Sequence, residues 1–386
     1  MDCFNKPISR LNTSSSKWNF ADENMLSFSI ADSDYPTSKA IIKIMKKRCD
    51  HGIFGYTIID DEYRSIIANW VKKRYNYSIN KEWIVPTAGI VPSIALAIDT
   101  FTKEGDYVVI QPPVYNPFYA VIENTKRQVL LNKLICNNNH YEMDFVDLEQ
   151  HFKNGAKMMI LCSPHNPVGR VWKKEELDKL VELCHQYQVF LFSDEIHCDF
   201  ILYEQPFISL GQYIGQLDHL IIGTAPSKTF NLAGLKTSNL IIGNQEVRQK
   251  YLEQMTRHFS SSPNLMGIVA CKAAYSHGEA WLEKQLDHLR KNHRFATIFL
   301  QTYLPQIAIA KLEGTYLLWL DLRFLKMKGT EICDGLKALG MIVNEGQNYG
   351  KECNGFIRVN IACPQSYLEK GLKILQNFIL LQEKQN

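Results

Sequence analysis

Seven short, almost wholly apolar runs recur between residues 83 and 243, and no other feature of the chain narrows its fold as far. They are WIVPT (83–87), YVVIQ (107–111), VLLNKL (129–134), KMMILC (157–162), VFLFS (189–193), HLIIGT (219–224) and NLIIG (239–243). A strand with one wet face alternates apolar and polar residues, so near-continuous runs of this length predict strands covered on both faces. Between them lie helix-like stretches such as KKEELDKLVELCHQYQ (173–188), with Leu177, Leu180, Val181 and Cys184 at helical spacing. Strand and helix in alternation predict an α/β fold built on a mostly parallel, seven-stranded sheet.

A chain of 386 residues is long for one core, and two domains are expected. The sheet pattern places a large domain at 46–280. A helical connector (279–304) leads to a smaller α+β unit, whose strands are TYLLWLDL (315–322) and FIRVNIAC (356–363). The first 45 residues lack the sheet pattern and are assigned with 281–386 to that smaller domain.

Formal charge is only +3, which argues against nucleic acid or an anionic membrane as partner. No apolar run reaches the roughly 18 residues of a membrane helix, and MDCFNKPISRLNTSSSKWNF has no signal-peptide core. A cytoplasmic enzyme is expected. The ten cysteines form no CxxC pair and several lie in apolar runs, as Cys162 does, which predicts reduced, packed thiols. There is no HExxH, and DEIHCD (194–199) has no second cluster to complete it, so no metal site is expected.

Ligands of open parallel sheets bind beyond the carboxyl ends of the strands. Reading there gives Gly89 and Ile90 after the first run, Tyr115 after the second and Asn166 with Arg170 after the fourth. The fifth run leads into Asp194 and His197, and the sixth into Ser227 and Lys228. A glycine turn opening a helix, an aromatic, an amide, a carboxylate and an amine are what pyridoxal 5′-phosphate (PLP) needs. The amine condenses with the aldehyde, and the carboxylate keeps the ring nitrogen protonated. The aromatic stacks on the ring, and the helix N-terminus takes the phosphate.

Each residue also has a plainer reading. A lone lysine is usually a solvated surface group, although Lys228 stands directly after an apolar run. Asp194 suits a helix N-cap, Asn166 before Pro167 an ordinary turn, and Tyr115 among prolines mere loop packing. GTAPSKT fails the GxxxxGK[ST] pattern, since Ser227 precedes the lysine and Ile222 stands six before it, and GxGxxG is absent.

VFLFSDEIHCDF (189–200), SPHNPVGR (163–170) and TAPSKTFNLAGLKTSN (224–239) together resemble fold-type I PLP enzymes of aminotransferase class I/II. Within them the chain is most similar to the MalY/PatB-type cystathionine β-lyases, a C–S lyase branch. The likeness runs on through SKWNF (16–20), IADSDYP (30–36), FGYT (54–57), QPPVYNPF (111–118), YEMDFVDLE (141–149), GTYLLWLD (314–321), NEGQNYG (344–350) and GFIRVNIACP (355–364).

The resemblance implies roles. Lys228 would hold the cofactor as a Schiff base and later move the α-proton. Asp194 would pair with the pyridinium nitrogen, Asn166 would hold the phenolic oxygen, and Tyr115 would stack on the ring. Gly89, Ile90 and Ser227 would bind phosphate, and Tyr56 would reach the phosphate of a neighbouring subunit, implying a homodimer with shared active sites. Arg358 would clamp the substrate carboxylate through its planar fork. His197 stands where many aminotransferases carry tyrosine, as in the lyase branch. Lys236 replaces a phosphate-binding arginine and would act as a point charge.

The expected activity is β-elimination from cystathionine or a related cysteine S-conjugate, giving thiol, pyruvate and ammonia. Transamination of an α-amino acid shares the early steps and is the alternative. A PLP-loaded regulatory protein is the third reading.

Overall fold

The computed structural model describes residues 3–260 and 263–384. Its main sheet has seven strands: β1 (Ile84–Thr87), β2 (Tyr107–Ile110), β3 (Gln128–Leu131), β4 (Met158–Cys162), β5 (Phe190–Asp194), β6 (Leu220–Thr224) and β7 (Ser238–Ile241). They lie in the order β1-β7-β6-β5-β4-β2-β3. All neighbours are parallel except β7, which runs antiparallel to both β1 and β6.

Each apolar run became a strand because successive side chains enter opposite cores. Met159, Leu161, Leu191 and Ile222 pack into one apolar cluster. Met158, Ile160, Phe190, Phe192 and Ile221 pack into the other. A sheet buried on both faces brings the carboxyl ends of β1, β2, β4, β5 and β6 to one edge, where their loops converge.

The smaller unit is an antiparallel sheet ordered Ala308–Ile309, Leu317–Asp321, Phe356–Asn360 and Asn344–Glu345. Helix Gln365–Glu383 follows it and packs against Glu279–Tyr303. Leu26–Ser27 pairs in parallel with Met341–Ile342, and the amide of Asn360 donates to Phe28 O (2.9 Å). The N-terminal segment therefore lies along this unit. Helix Lys39–Asp50, capped by Ser38, instead packs on Leu265–His277 of the large part. Divisions at 45/46 and 280/281 pass through helices Lys39–Asp50 and Glu279–Tyr303.

Among the described residues no helix is long and apolar enough to cross a membrane.

Candidate functional site

The loops at the carboxyl edge enclose a cavity of about 600 Å³. Gly89, Ile90, Tyr115, Asn166, Asp194, His197, Ser227, Lys228 and Lys236 all line it. Arg358, on the smaller sheet, does not line it, but its Nη1 donates to Oδ1 of Asn166, which does (3.1 Å). Tyr56 does not line the cavity and is fully exposed in a loop without regular structure.

Lys228 sits in the short helix Pro226–Thr229, begun by a proline just after β6. Its Nζ donates to Ala31 O (2.6 Å). Desolvation outweighs its neighbours and pulls the amine from its usual 10.5 down to about 8. Asp194 closes the adjacent strand β5 and is 3% exposed. Among the described residues its carboxylate accepts one hydrogen bond, from the Ile196 amide (3.2 Å). Burial pushes its carboxyl up to about 7, which Lys228 only partly offsets. A buried carboxyl held this way gains most from a cation placed beside it.

His197 is 2% exposed. Burial, then Lys228 and Arg358, hold it well below the usual imidazole range, so it is neutral at physiological pH. Its Nδ1 is buried without a hydrogen-bond partner among the described residues. Tyr115 is half-buried, with its hydroxyl pushed up to about 12 chiefly by desolvation, and stands edge-on to Phe118 at 5.7 Å.

Asn166 lies in the turn SPHNPVGR, closed by His165 N to Arg170 O and Gly169 N to His165 O, both 2.8 Å. Gly169 adopts φ +72°, and a Cβ there would strike Leu312. The turn therefore needs glycine to aim Asn166.

Arg358 is 3% exposed. Its Nη2 donates to Ser29 O and Asn344 Oδ1, both 2.8 Å, and its guanidinium stacks on Tyr349 at 5.0 Å. The carbonyl of Tyr349 accepts from the Val114 amide (2.9 Å) and the Tyr119 hydroxyl (3.2 Å), so the Tyr115 loop and the Arg358 site share one support. Arg358 Nε is buried with no partner among the described residues.

Sequence reading missed several groups at this site. Thr237 and Ser238 line the cavity because β7 is antiparallel, which puts its beginning at the edge where the other strands end. NLIIG carries no mark of strand direction, so the residues before it were passed over. Ala31, Ser29 and Asn344 come from segments remote in sequence, and only the fold reveals their contacts.

Arg170, singled out beside Asn166, belongs to a different structure. It is 1% exposed. Its Nε donates to Glu313 Oε2 (2.9 Å), its Nη2 to Glu176 Oε2 (2.7 Å) and its Nη1 to Tyr141 O, over the face of Trp172. It ties the Asn166 turn to the strand-bearing smaller unit. Arg170→Ala takes the guanidinium from the buried Glu313 carboxylate and from the half-buried Glu176, and is expected to cost about 3 kcal/mol, read as a lower denaturation midpoint. Protein that still folds should bind cofactor.

The residues present fit PLP. Helix Ile90–Phe101 begins at Gly89 with its first residues lining the cavity, where a helix N-terminus favours a phosphate. Lys236, Ser227 and Ser238 line the same cavity. An amine, a carboxyl in need of a cation and an unpartnered imidazole nitrogen line the rest.

Comparisons with known proteins point the same way. The model of the family "Aminotransferase class I and II" matches residues 23–375. The chain is 37% identical to cystathionine beta-lyase PatB of Bacillus subtilis, over 96% of this chain and 98% of that protein. It is 33% identical to protein MalY of Escherichia coli, over 97% and 98%. The crystal structure of cystalysin from Treponema denticola, which contains PLP, superposes with a TM-score of 0.95 at 35% identity, covering 98% of this chain and 99% of that one.

Proposed function

We propose, from the premise that the chain belongs to the aminotransferase class I and II family, that it is a PLP-dependent C–S lyase of the cystathionine β-lyase type. One observation carries this reading. The amine of Lys228 and the carboxyl of Asp194, from the ends of adjacent strands, line one cavity with Asn166, whose amide oxygen accepts from Arg358. Full-length similarity to a cystathionine beta-lyase supports the choice of reaction.

Bound here, PLP supplies an electron-accepting ring conjugated to the substrate nitrogen. The chain does the rest. Gly89, Ile90, Ser227 and Lys236 hold the phosphate. Tyr115 would cover the ring, Asn166 and His197 would serve its phenolic oxygen, and Asp194 would pair with its nitrogen. A cation beside Asp194 lowers the proton affinity that burial had raised, so the acid ionises when the site fills.

Arg358 offers its fork to the substrate α-carboxylate. Lys228 takes the α-proton as general base. With an affinity near pH 8, roughly a tenth of it is neutral at pH 7, against well under a thousandth of an ordinary lysine. The electron pair from Cα–H forms the Cα–Cβ double bond as Cβ–S breaks. The sulfur leaves with its bonding pair and is protonated to a thiol, and the released enamine hydrolyses to pyruvate and ammonia.

The reading includes a second copy of the chain. Ile53, Phe54, Tyr56 and Ile58 are 65%, 60%, 112% and 80% exposed within one loop. An apolar ridge of this kind favours burial against a partner, and Tyr56 at its crest would enter that partner's site.

Purified protein supplied with PLP and cystathionine is expected to release pyruvate and free thiol in equal amounts. Accumulation of a keto acid with cofactor converted to its amine form, and no thiol, would mean transamination instead. Colourless protein that refuses PLP would overturn the whole reading.

A further inference from the structure

The segment Ile30–Tyr35 meets the site at Ala31, whose carbonyl accepts from Lys228, and it is fixed from three sides. From the smaller sheet, Asn360 Nδ2 donates to Ile30 O and Asp32 O, both 2.7 Å, and the Tyr316 hydroxyl donates to Ala31 O (3.0 Å). From the loop that carries Lys228, Asn231 Nδ2 donates to Ser33 O (2.9 Å) and Tyr35 O (3.0 Å). From the N-terminal segment, Arg10 grips Asp32 with Nη1 and Nη2 (2.8 and 2.9 Å) and reaches Asp34 Oδ1 (2.8 Å). Lys17 donates to Asp34 Oδ2 (2.6 Å) and Asp32 O (3.1 Å), and the Trp18 indole to Asp34 Oδ1 (2.8 Å).

Two cations and two carboxylates, with Lys17 and Asp34 fully buried, thus form a closed cluster one residue from the acceptor of the Lys228 amine. Surface pairs contribute little, but a network withdrawn from water keeps its fields. The β-elimination machinery described above makes no use of this cluster.

We propose that Asp32, balanced by Arg10 and Lys17, is a positioning residue for Lys228: the cluster holds the Ala31 carbonyl as resting acceptor of the lysine amine and favours its protonated form. The charged and titratable groups facing Lys228 are Asp32 and Lys17 from the N-terminal segment, Asp194 and the neutral His197 beyond β5, and Arg358 from the smaller sheet. After burial, Asp32 acts most strongly on the amine and raises its proton affinity, as Asp194 does, while Arg358 and Lys17 lower it. Asp32 therefore opposes the desolvation that would otherwise strip the proton further.

Opposite charge changes must move Lys228 in opposite directions. Asp32→Asn keeps the shape but removes the negative charge, so the amine should release its proton more readily. The pH midpoint for PLP uptake, followed by the growth of visible absorbance, should fall by about one unit, a tenfold change in proton affinity. Arg10→Gln leaves Asp32 less neutralised, and the midpoint should rise. Arg10→Lys should return it to the native position. Lys17→Met removes a second cation and repeats the rise should Arg10→Gln fold poorly; retained circular dichroism certifies each variant.

Shifts of the same sign in Asp32→Asn and the cation variants, or none in either, would overturn the proposal, because loss of a merely structural cluster weakens uptake without ordering the midpoints by charge. The inference rests on the PLP reading, and the two fail separately. Native protein that takes up no PLP sinks that reading, whereas normal native uptake with immobile midpoints sinks only the role of Asp32.

Discussion

Lys228→Ala is expected to leave a folded protein that binds PLP without fixing it. Borohydride treatment should attach cofactor to the native chain, with the label found by peptide mapping at residue 228, and should attach none to the variant. Among the described residues its side chain makes one hydrogen bond, donated to Ala31 O, which Tyr316 also serves, so the fold loses little. Catalysis loses both the covalent tether and the base. Removal of a positioned general base alone lowers turnover by about 10²–10⁴-fold, so pyruvate release should drop at least that far. Retention of more than a tenth of native turnover would show that another group removes the α-proton.

Asp194→Asn is expected to act with opposite signs on the loaded and the cofactor-free protein. Asparagine can still accept from the Ile196 amide, so the turn after β5 keeps its shape. In the loaded protein the variant removes the carboxylate proposed to pair with the ring nitrogen. Loss of a preorganised electrostatic partner of this kind costs about 10²–10³-fold in rate. In the cofactor-free protein it should relieve a burden.

Burial holds the Asp194 carboxyl at about 7, against an ordinary 3.8. The folded state therefore binds this proton more tightly than the unfolded state. Any stability that follows is present at low pH and is lost as pH rises from about 4 to about 7, at up to about 1.4 kcal/mol per unit. Asp194→Asn removes that slope. Glu195, which burial also holds near 7, keeps its own share and leaves a residual dependence. Melting curves of cofactor-free native and variant protein at pH 5 and pH 8 decide the matter. Without cofactor, the variant should melt at or above the native protein at pH 8, and it should gain less than native protein from added PLP. Equal gains would mean that Asp194 does not face the ring nitrogen.

Much of this was written in local pattern. The seven apolar runs identified the strands because burial on both faces demands unbroken hydrophobicity, although the edge strand β3 exposes Gln128 and Leu131 and so meets that expectation only in part. Strand ends located Asn166, Asp194 and Lys228 because a parallel sheet delivers its carboxyl ends to one edge. The motif resemblance supplied Arg358, which no strand-end argument on the large sheet could reach. Arg170 shows where such reasoning fails. In sequence it stands as close to the rim as Asn166, but the carboxylates of Glu176 and Glu313 draw it into a buried ion pair.

The sequence by itself determined which segments are strands and which residue types meet at their ends, because both follow from spacing within a few residues. Tertiary structure alone decided the direction of β7, and with it the entry of Thr237 and Ser238 into the cavity. It also decided that a carbonyl at residue 31 would meet an amine at residue 228, and that Asp32 would lie beside two cations from residues 10 and 17. Hydrogen bonds and fields act over a few ångströms of space irrespective of chain separation, so contacts between remote segments exist only once the packed core has brought them together.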